Sequence, residues 1–89
     1  MNKTKEITFD EALKIAKEHM SQFNTCNEYT NAYSFSYDWG EIRYGGIGSP
    51  CMVMKADGKA VDMPIYIMRY GGGEIVRSIP VETYIRGND

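Results

Sequence analysis

The chain has 89 residues, 43% hydrophobic and 25% charged, with a formal net charge of -2. A chain of this size buries only about 60–65% of its unfolded surface, which suits one domain over residues 1–89 with one modest core and leaves little for a deep enzyme cleft. Arg43, Arg69, Arg77 and Arg86 are scattered rather than clustered, which argues against nucleic-acid binding, and no apolar run approaches the roughly 20 residues of a membrane span.

The N-terminal stretch "MNKTKEITFDEAL" has a basic start but no apolar h-region after it, because Glu6, Asp10 and Glu11 interrupt. A cytoplasmic location is therefore expected, and with it two reduced cysteines, Cys26 and Cys51, although export would leave a Cys26–Cys51 disulfide open. Their spacing is neither CxxC nor a zinc pattern, and His19 is the only histidine, so no metal and no cofactor are expected.

"ITFDEALKIAKEHMSQF" reads as an amphipathic helix. Thr8 as N-cap and Glu11 three residues later make the capping-box pattern. Phe9, Ala12, Leu13, Ala16, Met20 and Phe23 recur at three- and four-residue steps and form one apolar stripe. "NTCNEYTN" reads as the turn that ends this helix, on account of its asparagines.

The period then drops to two. "AYSFSYDW" places Tyr33, Phe35 and Tyr37 on one face and Ser34 and Ser36 on the other, which predicts a half-buried strand with its aromatics against the helix. After it, "RYGGIGSPCMVM" lacks the GK[ST] of a phosphate loop, the GxGxxG spacing and the G-x-S-x-G of a nucleophile elbow. It reads as a connection between strands, with a binding loop as the alternative.

In "PCMVMKADGKAVDMP", Asp57-Gly58 reads as a two-residue hairpin turn. That register pairs Met54 with Val61 and Met52 with Met63 and sends these four side chains to the core. "IYIMRYGGGEIVRSIP" reads as a second hairpin around Gly71, Gly72 and Gly73, with either face of residues 65–70 inward. Pro80 suits the first turn of a short closing helix, and an extended tail fits equally.

No catalytic set emerges. Asp38 and Glu41 straddle Trp39, but without a histidine partner a nucleophile–base–orienter arrangement is hard to draw, and we expect no enzyme activity. The aromatic–acidic cluster Tyr37, Asp38, Trp39, Glu41 and Tyr44 is instead the candidate partner-binding patch, since aromatic anchors dominate protein interfaces. Trp39 is divided between that role and the core.

The order of elements resembles the immunity protein 35 family. The resemblance runs through "ITFDEALKIAKEHM", the aromatic strand "YSFSYDW", the "P-apolar-V-x-K-x-x-G" motif at Pro50, Val53, Lys55 and Gly58, and the closing "IPVETYI". The insertion "MPIYIMRYGGGE" departs from it. The resemblance implies a bacterial toxin-system immunity protein that binds and neutralises a cognate toxin without catalysis, and it transfers no catalytic residue. The expected fold is α+β, an N-terminal helix packed on a four-stranded, mostly antiparallel sheet. The alternative function is a small peptide- or ligand-binding regulatory module that uses the glycine loop or an open sheet edge.

Overall fold

The structure is a computed structural model that describes residues 6–37 and 50–86. In chain order the elements are α1 (Phe9–His19), β1 (Gln22–Phe23), β2 (Thr25–Tyr29), β3 (Ala32–Ser36), β4 (Cys51–Met54), β5 (Ala60–Asp62), α2 (Met63–Tyr70), β6 (Ile75–Ile79) and β7 (Tyr84–Ile85). Strands β2 to β6 form one antiparallel sheet in the order β5-β4-β3-β2-β6, and β1 pairs with β7 in a separate two-stranded ladder. The fold is α+β, as expected, but the main sheet has five strands and a second helix packs on its other face over β4 and β5.

The start of α1 follows the local chemistry of the sequence. The Thr8 hydroxyl accepts from the Glu11 N–H at 3.2 Å, and the Glu11 carboxylate accepts from the Thr8 N–H at 2.9 Å. Two of the otherwise orphaned donors at the helix N-terminus are satisfied this way. The helix stops at Met20, so Phe23 leaves the helical stripe and reaches the core from β1, fully buried. The last turn is closed from a distance: the Arg86 guanidinium donates to the Lys17 and Glu18 carbonyls at 2.6 and 2.8 Å. A cation on those carbonyls also complements the helix dipole.

Alternation along the strands divides the core into two layers. On one face Tyr33, Phe35, Cys26 and Val53 pack with Ala12, Ala16 and Phe23, and Phe9 lies edge-on to Tyr33 and stacked on Phe35. On the other face Ala32, Met52 and Met54 pack under Tyr66 of α2. Met52 and Met54 are buried as expected, with Val61 and Met63 partly buried beside them, but this group faces α2 and not the N-terminal helix.

The β4–β5 register differs by two residues from the expected one. Met52 pairs with Val61 and Val53 with Ala60, and Met54 N–H donates to the Lys59 carbonyl at 2.8 Å. The loop is therefore residues 55–58, not Asp57-Gly58 alone. A two-residue type I′ turn needs positive φ at both central positions, and only Gly58, at φ 75°, has it. A shift of two preserves the side-chain faces, which is why the burial of Met52 and Met54 survives it. Gly58 also lies against α1: a Cβ there would sit 3.1 Å from Ile15 Cδ1.

Residues 65–70, expected as a strand, belong to α2, which begins at Met63. Pro64 stands in its first turn and Gly71, at φ 74°, is its left-handed C-cap, with its N–H donating to the Ile67 carbonyl at 3.0 Å. Proline just inside and glycine just past the end are helix punctuation. The buried Tyr66 donates its hydroxyl to Asn31 Oδ1 at 2.6 Å, tying α2 to the β2–β3 turn. The asparagine-rich segment expected as a turn contains β2, an interior strand. Between Pro80 and β7 the chain forms no helix, so of the two forms left open above the second remains.

Cys26 and Cys51 flank Phe35 from the two strands on either side of it. Two strand spacings amount to roughly 9–10 Å, beyond the ~7 Å that a disulfide tolerates between Cα atoms. Both thiols are free.

Loss of the Thr8 cap in Thr8→Ala should cost about 0.5–2 kcal/mol. Phe35→Ala, which empties the centre of the α1 layer, should cost about 3–5 kcal/mol. Half-buried Leu13 should fall between the two when mutated to alanine. Urea melts of the three variants test this ranking; a negligible effect at Phe35 would contradict the packing described.

Candidate functional site

The expected contact residues are mostly not among those the structure describes. Tyr37 follows β3 and is half-buried. Asp38, Trp39, Glu41 and Tyr44 lie outside the described residues, as does the glycine stretch before Pro50. Among the described residues two other features stand out.

The first is a three-residue ion network on the α1 face. Glu28 in β2 is opposite Tyr33 on one side and Arg77 in β6 on the other. Its Oε2 accepts from Lys55 Nζ at 2.6 Å and its Oε1 from Arg77 Nε at 2.7 Å. Lys55 also lies over the Tyr33 ring at 5.2 Å. The side chains of Lys55 and Glu28 are 10% and 15% exposed, whereas Arg77 is 66% exposed. The hydrogen bonds from Lys55 and then Arg77 hold the Glu28 carboxyl below its ordinary range, and the same carboxylate holds Arg77 above its own. Two cations thus share one anion, and the surplus positive charge lies at the exposed edge. Sequence reasoning did not find this group: Glu28 was read as part of a turn, and residues 28, 55 and 77 have no local spacing that links them.

The second feature is an apolar surface. Ile67, Met68, Tyr70, Ile75 and Val76 are exposed large hydrophobics, and only Ile85 among the described residues joins them from elsewhere. Rings connect the two elements that carry them. Ile75 pairs with Tyr29, Tyr29 meets Tyr66 edge-on at 5.9 Å, and Tyr66 stacks with Tyr70 at 6.1 Å. β6 is a terminal strand of the sheet, and Ile75 to Ser78 are all exposed. Beside it, on the α2 face, Thr25, Asn27, Ser36 and Ser78 help line a groove of about 470 Å³, together with Ile79 and Pro80. The hydroxyls of Thr25 and Ser36 are 2.7 Å apart, and Ser78 donates to Asn27 at 2.9 Å.

A separate cleft, of about 320 Å³, is lined by His19, Cys51 and Asp62 together with Met20 and Val61. These are the residue types of a thiol nucleophile, a base and an orienting acid. The electrostatics run the other way, since burial and then the Asp62 charge push the Cys51 thiol up. A reactive cysteine needs a lowered pKa and electropositive surroundings. Cys26, buried and near Glu28, is pushed up to about 12. Among the described residues no group of three or more His, Cys, Asp or Glu side chains is placed to hold a metal ion, and no helix is long and apolar enough to cross a membrane.

Comparison of the chain with protein-family models, curated proteins and solved structures returns no match.

The ion network sets a pH dependence. Glu28 has its pKa lowered on folding, so its contribution is fully present above the ordinary carboxylate value of 4.5 and is lost as pH falls through the lowered folded value. Glu28→Gln should cost about 1.5–3 kcal/mol near neutral pH, where charged hydrogen bonds are lost. Its stability should then fall less steeply than the wild type's on acidification below 4.5. Urea melts from neutral pH down to about pH 3 measure both effects, and parallel pH profiles for the two proteins would contradict the assignment.

Proposed function

We propose that this chain works by direct, non-catalytic association with another protein, in the manner of the bacterial immunity proteins it resembles, which bind and neutralise a cognate toxin. The observation that carries the reading is the concentration of exposed apolar side chains between residues 67 and 76. Several large apolar side chains left exposed close together in the chain, with charged residues among them, commonly mark a protein contact. Here Arg69, Glu74 and Arg77 supply the charged residues among and beside them. The neutral thiol in the His19–Cys51–Asp62 cleft gives further support to a binding role over a nucleophilic one.

The contact set in this proposal has two parts. One is the α2–β6 surface, with Met68 and Ile75 as its most exposed members at 75% and 58%. The other is the aromatic–acidic cluster of Tyr37, Asp38, Trp39, Glu41 and Tyr44. Occlusion of the partner by a rigid surface is the mechanism, and it requires no cofactor. A peptide-binding regulatory module is the second reading, favoured by the exposed terminal strand β6, since strand addition at a sheet edge is a common mode of peptide capture.

The test is co-expression and pull-down with the product of the neighbouring gene, followed by titration of variants. Met68→Asp and Ile75→Asp alter exposed positions and should leave the fold intact. Each should weaken binding by about 2 kcal/mol or more, roughly thirtyfold, if it anchors the partner. Trp39→Ala and Tyr44→Ala, checked first for folding, report on the other part of the surface. Asp38→Asn and Glu41→Gln should chiefly slow association, and less so at high salt. Failure to bind the neighbouring product would remove the toxin reading and favour the regulatory module.

A further inference from the structure

The outer edge of β6 has properties that single out a kind of partner. β2 lies on one side of it, no described strand lies on the other, and Ile75 to Ser78 are exposed. Alternate residues of a terminal strand turn their backbone N–H and C=O groups away from the sheet, where another strand can pair with them. Natural proteins guard such edges with charges and bulges, and β6 has both. The register against β2 shifts between Glu28 and Tyr29, so that Val76 is an extra residue, and Arg77 projects at the middle of the strand. Pro80 follows at once and has no N–H to donate, so the pairable stretch ends at Ile79.

We propose that this edge accepts an extended segment of a partner protein as a sixth strand of the sheet, and that Arg77 selects a segment with a carboxylate beside it. The proposal rests on the association reading above and specifies its mode. Arg77 uses Nε for Glu28 at 2.7 Å and its side chain remains 66% exposed, so a partner can reach the guanidinium. Glu28 is already shared with Lys55 at 2.6 Å, so the trio carries a net positive charge that one carboxylate would balance. A guanidinium is well suited to that contact, because it forms paired, charge-assisted hydrogen bonds with a planar carboxylate.

The same charge disfavours a second copy of this chain. Antiparallel self-pairing that overlaps all of β6 places Arg77 opposite Arg77, each beside a positively charged trio. Like charges directly opposite in a ladder are destabilising. Purely apolar strands gain nothing from Arg77. On the α2 face the groove lined by Thr25, Asn27, Ser36 and Ser78 lies beside the same edge. Its Ser78 hydroxyl and Asn27 amide offer hydrogen-bond partners to the residue next to the carboxylate, since neighbouring residues of a strand point to opposite faces. The chemistry sought is an extended segment with an acid towards the α1 side and a hydroxyl or amide towards the α2 side.

The experiment uses capped synthetic peptides of alternating threonine and valine, one with a central glutamate and one with a central lysine, titrated into isotope-labelled full-length protein. The glutamate peptide should shift the backbone amides of residues 75–79 and slow their exchange. Its dissociation constant should be at least ten times lower than that of the lysine peptide. Arg77→Gln, which avoids placing a second acid beside Glu28, should abolish the difference, and Arg77→Lys should retain part of it. Equal affinity for the two peptides, shifts confined to other residues, or no binding at millimolar peptide would each overturn the proposal. So would sedimentation showing wild-type dimers joined through residues 75–79. Because no toxin is needed, the two proposals fail separately: a toxin bound without acid preference at β6 removes only the mode, and acid-selective peptide binding without any toxin removes only the toxin.

Discussion

The burial of β3 on both faces is the constraint from which the other layers follow. Ala32, Tyr33, Ser34 and Phe35 are each no more than 8% exposed. A strand that hides consecutive residues needs a cover on each side, so one helix is not enough. The large side chains, Tyr33 and Phe35, face α1 and are met by Phe9 and Phe23. The small ones, Ala32 and Ser34, alternate with them on the α2 face. Small residues allow a thin second layer, in which Tyr66 is the only buried member of α2. Such a layer is anchored at few points: the Tyr66 ring, its bond to Asn31, and Met52 and Met54 beneath. An eight-residue helix held on one face leaves its opposite face to water.

The ion network lies across the same strand. Glu28, Lys55 and Arg77 come from β2, from the residue after β4, and from β6, and the Tyr33 ring of β3 lies beneath the Lys55 ammonium. Pairing of this kind adds modest net stability, because desolvation offsets much of the Coulomb gain. Its stronger effect is on register. A one-residue slip of β2 would carry Glu28 to the α2 face and leave Lys55 nearly buried without its carboxylate. The trio therefore penalises misregistered sheets, and it leaves an uncompensated cation at the edge as a by-product of that arrangement.

What was legible in the sequence was the chemistry confined to a few neighbouring residues. The Thr8–Glu11 box, the α1 stripe from Phe9 to Ala16 and the two-residue alternation from Tyr33 to Phe35 appear in the structure, although the helix ends before Phe23 and the strand read as half-buried is covered on both faces. The rest depended on partners distant in the chain. β2 was hidden because Asn24, Asn27 and Asn31 suggest turns, yet only Asn31 stands in the β2–β3 turn; Asn27 pairs with Ser34 and Ser78 inside the sheet. α2 was hidden because Ile65, Tyr66 and Ile67 have strand-like propensity, and the decisive marks were Pro64 and Gly71 at its ends. The β4–β5 turn was read in the correct place with the wrong length, since Asp57 and Gly58 are locally compatible with either loop. Of the contact patch only Tyr37 is described, whereas the surface formed by α2 and β6 required the helix to be recognised first.

The exposed apolar side chains on these two elements do not carry equal weight. Ile75 and Val76 belong to a strand, where β-branched residues are favoured even when they face water. Only Ile79 of β6 packs into the core, so the fold alone would tolerate polar residues at 75 and 76. Their apolarity thus has a local contribution in addition to any partner. No such contribution serves α2. Isoleucine gains nothing from a helix, and an exposed Met68 neither caps the helix nor pairs along it within this structure. Met68 is 75% exposed and Ile67 57%, on a helix whose buried face is already supplied by Met63 and Tyr66. A flexible, polarizable methionine is suited to an adaptable binding surface. The helix residues, more than the strand residues beside them, are therefore the reason to treat this side of the molecule as a contact surface.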